Sequence, residues 1–166
     1  MTPRQAVCRV ALAACATSLM VTTGMARQPA ADEPVRCDTV LTSAEATAVA
    51  GDGYEGPAVT ARRPGFTECV WQGNDTSISF SFRTLADLKA DDRKPDEEFD
   101  MDVLAVESES RKREMLKDIG TRAAIVAVEG DAFLIEVQRP DGIARMITYK
   151  VSRETTIALG RAIATP

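Results

Sequence analysis

Three short runs near the C-terminus place the strongest constraint on the fold. They are residues 123–128, Ala132–Arg139 and residues 143–151, separated by Glu129-Gly130-Asp131 and Pro140-Asp141-Gly142. Glycine, proline and aspartate favour tight turns, and such short connections join antiparallel neighbours. In the second turn a proline comes first, and Gly142 follows where a positive φ is expected. These runs predict a three-stranded antiparallel meander.

Alternating side chains predict a sheet with one covered face. In one run, Ile78, Phe80 and Phe82 alternate with Ser77, Ser79 and Ser81. In another run, Phe133, Ile135 and Val137 alternate with Leu134, Glu136 and Gln138. This period of two is typical of strands that pack on one side and meet water on the other. Residues 69–72 and 76–83 bracket Gly73-Asn74, which predicts a hairpin with a two-residue turn. Cys69 and Trp71 share one side of its first strand.

Helices are predicted at both ends of this sheet. Thr42-Ser43-Ala44-Glu45 has the capping-box pattern, and the helix that it starts ends at Ala50, with Gly51 as a left-handed C-cap. Ser152 is expected to cap a final helix, Arg153–Ile163. Leu159, Ala162 and Ile163 are expected to face the core of the domain.

Two stretches are less regular. Residues 51–66 are rich in glycine and proline and predict a loop with a short edge strand at 58–61. Within 84–118 we expect a helical turn at 85–89 and a helix at Pro95–Val106, with a strand at 101–107 as the alternative. The order of elements predicts an α+β fold, with one disulfide, N-terminal and C-terminal helices and a mostly antiparallel sheet of about five to six strands.

The N-terminal residues have the composition of an export signal. Residues 1–9 are basic, residues 10–21 form a 12-residue apolar run, and Gly24-Met25-Ala26 places small residues before Arg27. The apolar run is too short to span about 30 Å of hydrocarbon. We predict a signal peptide at 1–26, a linker at 27–36 and a single domain at 37–166. The protein is thus expected to be periplasmic or secreted.

Cys15 supports an alternative interpretation. Leu12-Ala13-Ala14-Cys15 matches the pattern at which bacterial lipoproteins are lipidated on cysteine. The apolar run, however, starts only just before this cysteine and continues past it. Lipidation at Cys15 stays an alternative, as does an uncleaved N-terminal anchor.

The cysteines indicate one disulfide. Two of the four, Cys8 and Cys15, lie in the export segment, which leaves Cys37 and Cys69 for the domain. A cysteine pair in an oxidising compartment is expected to be bonded. The bond would close a loop of about 33 residues and stabilise the domain by about 3–4 kcal/mol.

Composition excludes several classes of function. The chain has no histidine, which removes the Ser-His-Asp triad, the Cys-His pair and histidine-ligated metals. Lysine and arginine number 20 against 25 acids, for a net charge of −5. Such an acidic surface disfavours nucleic acid and slightly favours a basic partner. At 45% hydrophobic, the chain can still build a core.

The acidic run at 91–102 is the main candidate for chemistry. Its seven carboxylates belong to Asp91, Asp92, Asp96, Glu97, Glu98, Asp100 and Asp102. As a calcium loop starting at Glu98, it would place Val103 where the sharp turn needs glycine. We therefore expect a solvated segment and no metal.

Catalytic signatures are missing from the sequence. It contains no G-x-S-x-G, S-x-x-K, G-x-G-x-x-G or P-loop pattern, so no catalytic residue and no cofactor are predicted. A glycan hydrolase that uses carboxylates alone stays an alternative, and it would need a buried acid with a raised pKa, such as one in 96–102. Arg111-Lys112-Arg113, flanked by acids, predicts an exposed face of mixed charge.

One group of motifs resembles a known family. Cys37, then Leu41-Thr42, Glu45, Gly51 and finally Cys69-Val70-Trp71 resemble domain of unknown function 3558, which is found mostly in actinobacterial lipoproteins. Residues 119–123 are similar to that family's Gly-Asp-x-Ala segment, with Thr121 in place of the usual acid. The resemblance covers roughly residues 37–163 and implies an exported α+β domain with a Cys37–Cys69 disulfide. It implies no activity.

Three functional hypotheses follow. The first is a non-catalytic exported module that binds an envelope protein or a small ligand through a sheet face or through residues 51–66. The second is a lipid-anchored factor in envelope assembly, which would contact the membrane only through lipidation. The third is the carboxylate-only glycan hydrolase.

Overall fold

The computed structural model describes residues 35–51, 53–108 and 111–165, apart from the side chain of Asp102. The predicted signal peptide, its cleavage site, Cys15 and most of the linker lie outside these residues. The helices are α1 (Cys37–Val40), α2 (Ser43–Ala50), α3 (Leu85–Ala90), α4 (Pro95–Val106) and α5 (Arg153–Ile163). The strands are β1 (Glu55–Arg63), β2 (Phe66–Gln72), β3 (Ser77–Thr84), β4 (Glu114–Leu116), β5 (Arg122–Val128), β6 (Ala132–Arg139) and β7 (Gly142–Tyr149).

All seven strands form one antiparallel sheet in the order β1-β2-β3-β7-β6-β5-β4. The α+β class and the antiparallel sheet are confirmed, but five to six strands is too few. Strand β4 was not predicted, since three residues are too short to show alternation. Most of β1 was predicted to be a loop, because Gly56 and Pro57 interrupt a nine-residue strand.

Local capping sets the helix boundaries as predicted. The Thr42 hydroxyl accepts a hydrogen bond from the Glu45 backbone N–H at 3.1 Å, and the Glu45 carboxylate accepts one from the Thr42 N–H at 2.8 Å. Gly51 closes α2 with φ +74°. The Ser152 hydroxyl accepts from the Thr155 N–H at 3.1 Å, so it caps α5. The helix at Pro95–Val106 is confirmed, and the strand alternative at 101–107 is wrong.

Helices cover both faces of the sheet, which corrects the expectation of a single covered face. On the first face, buried residues of α1, α2 and α5 pack against the sheet. On the second face, Leu88 of α3 and Phe99 and Val103 of α4 pack against β5, β6 and β7. Leu134 and Glu136, predicted to meet water, are therefore buried.

Three local predictions are wrong. The β2–β3 connection has four residues, 73–76, closed by a hydrogen bond from the Gly73 N–H to the Thr76 carbonyl at 2.9 Å. Gly142 has no positive φ; a Cβ there would overlap the backbone carbonyl oxygen of Arg83 on β3. Ala162 is exposed, whereas Gly160 is buried because α5 lies close to Ile135.

Candidate functional site

The disulfide joins α1 to the middle of β2. Cys37 and Cys69 are bonded with their Cα atoms 6.0 Å apart, and both are buried. Trp71, two residues along the strand on the same face, is buried in the same core. The predicted disulfide is therefore confirmed, and it holds the first helix against the sheet.

A cavity of about 350 Å³ lies beside this disulfide, between α1 and β1. Such a volume is at the lower end of the range for small-molecule sites. The wall consists of Val35, Arg36, Cys37, Asp38, Pro57, Val59, Arg62 and Thr67. Three of these come from residues 51–66, the stretch named above as a candidate for binding.

A bulge in β1 brings apolar and charged side chains together in this wall. Val59 pairs with Cys69 and Arg62 pairs with Thr67, with a register shift between Val59 and Ala61. The bulge places Val59 and Arg62 on the same face, where regular alternation would separate them. Val59 is 54% exposed although it is apolar.

Polar groups at one end of the cavity can hold a ligand. The Thr67 side chain is 1% exposed, and its hydroxyl has no hydrogen-bond partner among the described residues. Arg62, directly opposite in the register, forms no ion pair within the described part of the chain. Arg36 donates to Asp38 from its Nε at 3.1 Å, and this hydrogen bond lowers the pKa of the Asp38 carboxyl.

A second cluster of charges lies under α3 and α4 on the opposite face. The Arg83 guanidinium donates to Asp87 at 2.7 Å, to Glu98 at 2.7 Å and to Asp91. Glu98 also accepts from Arg93 at 2.6 Å. Burial raises the pKa of Glu98, but the hydrogen bonds from Arg93 and Arg83 outweigh burial, so the pKa lies below its ordinary value.

Glu136 is the most unusual titratable group of this cluster. Its side chain is 0% exposed, and neither carboxyl oxygen has a hydrogen-bond partner among the described residues. Burial, with smaller effects from the Glu98 and Asp100 carboxylates, raises its pKa to about 9, and the nearby Arg122 lowers it only partly. The carboxyl is therefore protonated and neutral at pH 7.

The arrangement offers little support for acid–base chemistry. A cavity of about 190 Å³ next to the cluster is lined by Phe66, Glu68, Ser81, Arg83, Glu98, Ile143 and Arg145. The acid with a raised pKa, Glu136, is not part of that wall. Glu98, the buried acid within 96–102, is in the wall, but its pKa is lowered.

Most of the remaining acids of the run at 91–102 belong to α4. Asp100 accepts from Arg122 at 2.7 Å and from Arg113 at 2.9 Å, so it ties the helix to β5 and to the residues before β4. The expectation of a solvated segment is therefore wrong for Glu98, which is buried. Among the described residues, no cluster of three or more acids or cysteines could hold a metal ion.

Neither cavity is evident from the sequence, because both depend on which residues the register and the helices bring together.

In the part of the chain that the structure describes, no helix has the length and apolar character needed to cross a bilayer. Comparison of this chain with family models, with curated proteins and with solved structures finds no match.

Proposed function

We propose that this chain is exported through its N-terminal segment and acts as a non-catalytic binding module, with its ligand site in the cavity beside the disulfide. The observation that carries this proposal is the cavity wall itself. It combines an exposed apolar side chain, Val59, with a buried hydroxyl, on Thr67, that has no partner among the described residues. Buried polar groups in proteins are normally hydrogen-bonded, so an unpartnered one in a cavity wall is suited to a ligand.

The disulfide supports export. Cys37 and Cys69 are bonded, and such bonds persist in oxidising compartments. We also propose membership of domain of unknown function 3558, which is supported by the bond between the two motif cysteines. Under this proposal the charged cluster under α4 has a structural role.

A pair of variants tests the ligand site. Val59→Phe fills the cavity, whereas Ile147→Phe introduces the same side chain at another exposed strand position, 38% exposed, outside the cavity wall. We would screen the ¹⁵N-labelled protein against a diverse fragment set by NMR. The changes in amide chemical shift on addition of fragments are expected to concentrate at residues 35–38 and 57–67. They should disappear in Val59→Phe and persist in Ile147→Phe. Shifts confined to other surfaces, or none at all, would refute the site.

Export is tested separately by the intact mass of the natively produced protein. A chain that begins at Arg27 and weighs two mass units less than its dithiol form supports a secreted or periplasmic module. A diacylated or triacylated chain that begins at Cys15 would instead establish the lipoprotein alternative. A chain that begins at Met1 would indicate the uncleaved anchor.

A further inference from the structure

We infer that the cavity beside the disulfide binds an aliphatic monocarboxylate, with the carboxylate at Arg62 and Thr67 and the hydrocarbon chain against Val59 and Pro57. This inference rests on the proposed function, because it names the chemical class of ligand for the same site. It is drawn from the register of β1 and β2 and from the charges around the cavity.

The register divides the wall into a polar end and an apolar end. Arg62 lies directly opposite Thr67, and paired side chains of an antiparallel sheet have Cβ atoms about 4.5–5.5 Å apart. A single anionic group can therefore contact the guanidinium and the hydroxyl together. On the same face the next pair is Val59 and Cys69, and Pro57 lies two residues further along β1.

The charge around the cavity favours an anion. Two arginines, Arg36 and Arg62, line it with one acid, Asp38, and that acid is bound by Arg36. Among the described residues that line the cavity, the charges therefore sum to one positive charge, in a protein whose net charge is −5. A carboxylate matches both available donors, since guanidinium groups and hydroxyls form short, strong hydrogen bonds to it.

The apolar end favours an aliphatic chain over a second polar group. Val35, Pro57 and Val59 offer no side-chain donor or acceptor, and a polar group placed against them would lose its hydrogen bonds to water. A hydrocarbon chain gains free energy there by leaving water.

The test compares three probes with a ten-carbon chain at submicellar concentration: decanoate, decanol and decyltrimethylammonium. Dissociation constants come from NMR titration of the amides at 57–67. Decanoate is expected to bind at least about tenfold more tightly than decanol, given the strength of hydrogen bonds to charged groups, and the cation is expected not to bind. Equal affinity for decanoate and decanol, or preference for the cation, would overturn the inference.

Two variants assign the carboxylate to its partners. Arg62→Gln is expected to weaken decanoate about tenfold and leave decanol unchanged, while Arg161→Gln removes an exposed arginine outside the cavity and should change neither. Thr67→Val keeps the shape of the side chain, so it should preserve the fold and weaken decanoate. If fragments bind at the cavity but no probe does, the ligand class is wrong and the proposed function survives. If fragments also fail to bind there, both are wrong.

Discussion

Glu136 and Arg145 lie directly opposite each other on β6 and β7, yet they do not form an ion pair. The Arg145 guanidinium lines the cavity beside Glu98, and burial lowers its pKa. The Glu136 carboxyl lies beneath α4, where Glu98 and Asp100 oppose its ionisation. The centre of the sheet therefore holds a neutral carboxylic acid next to an arginine.

Glu136 should make the stability of the domain depend on pH. Its pKa is about 9 in the folded protein against 4.5 as the ordinary value, so the folded state keeps a proton that the unfolded chain releases. The contribution of this group is complete below pH 4.5 and falls steadily as the pH rises towards 9. About 3 kcal/mol is lost by pH 7. Glu136→Gln should therefore raise the free energy of unfolding at pH 7 by about 1–3 kcal/mol and flatten its decline between these values.

Urea denaturation at a series of pH values measures this effect. Glu55→Gln, which makes the same exchange at an exposed carboxylate on β1, is the matched control. A Glu136→Gln protein that is less stable than the parent at pH 7 would show that Glu136 is paired and ionised in the folded state.

Arg83 should be the most important arginine for the attachment of α3 and α4. Its guanidinium contacts three acids, of which Asp87 and Glu98 are buried. In Arg83→Met, the Asp87 carboxylate keeps only Arg63 and the Glu98 carboxylate keeps only Arg93. We therefore expect the free energy of unfolding to fall by about 2–3 kcal/mol.

Lys94→Met is the matched control for Arg83→Met. It removes another cation that contacts an acid, Glu97, but both groups are exposed, so no measurable loss is expected. Chemical denaturation of both variants gives the comparison. Equal stability of the two proteins would argue against a structural role for the charged cluster.

Gly142→Ala should be destabilising although Gly142 has an ordinary backbone conformation. The added methyl group would overlap the Arg83 carbonyl and lie 2.8 Å from the Phe82 ring, so β3 and β7 would have to separate. We expect the free energy of unfolding to fall by about 1–3 kcal/mol, as measured by thermal or chemical denaturation. Gly53→Ala, where the methyl group meets nothing within 4 Å, should be nearly neutral. A neutral Gly142→Ala would mean that the two strands are not so close.

Loss of the disulfide should weaken both stability and the proposed ligand site. Replacing Cys37 and Cys69 together by serine opens a loop with a sequence separation of 32, so unfolding should become easier by about 3–4 kcal/mol. Because Cys37 anchors α1 over the cavity, decanoate affinity should also fall. Calorimetry and the NMR titration measure the two effects, and unchanged stability would show that the bond adds no constraint.

The features that the sequence predicts well are those encoded locally. The boundaries of α2, α4 and α5 follow from Thr42, Pro95 and Ser152, because a cap or an N-terminal proline acts within one turn. The disulfide follows from the number of cysteines and the predicted export segment. These inferences need no knowledge of what lies elsewhere in the chain.

The features that it misses depend on distant parts of the chain. Alternation correctly places Leu134 and Glu136 on one side of β6, but it cannot show that α4 covers that side. The cavity wall depends on an extra residue in β1, which changes the side on which Arg62 emerges. A bulge of this kind has no periodic signal in the sequence.

The order of the strands has a consequence for how the chain folds. β1, β2 and β3 form one meander and β4 to β7 form another, and only the pairing of β3 with β7 joins the two halves of the sheet. Pairing between distant segments forms slowly, so we expect β3 and β7 to associate after each half has formed. The disulfide lies wholly in the first half. Cys37 and Cys69 can therefore be oxidised without the second half, and pulse-labelled hydrogen exchange should show the amides of the β2–β3 pairing protected before those of the β3–β7 pairing.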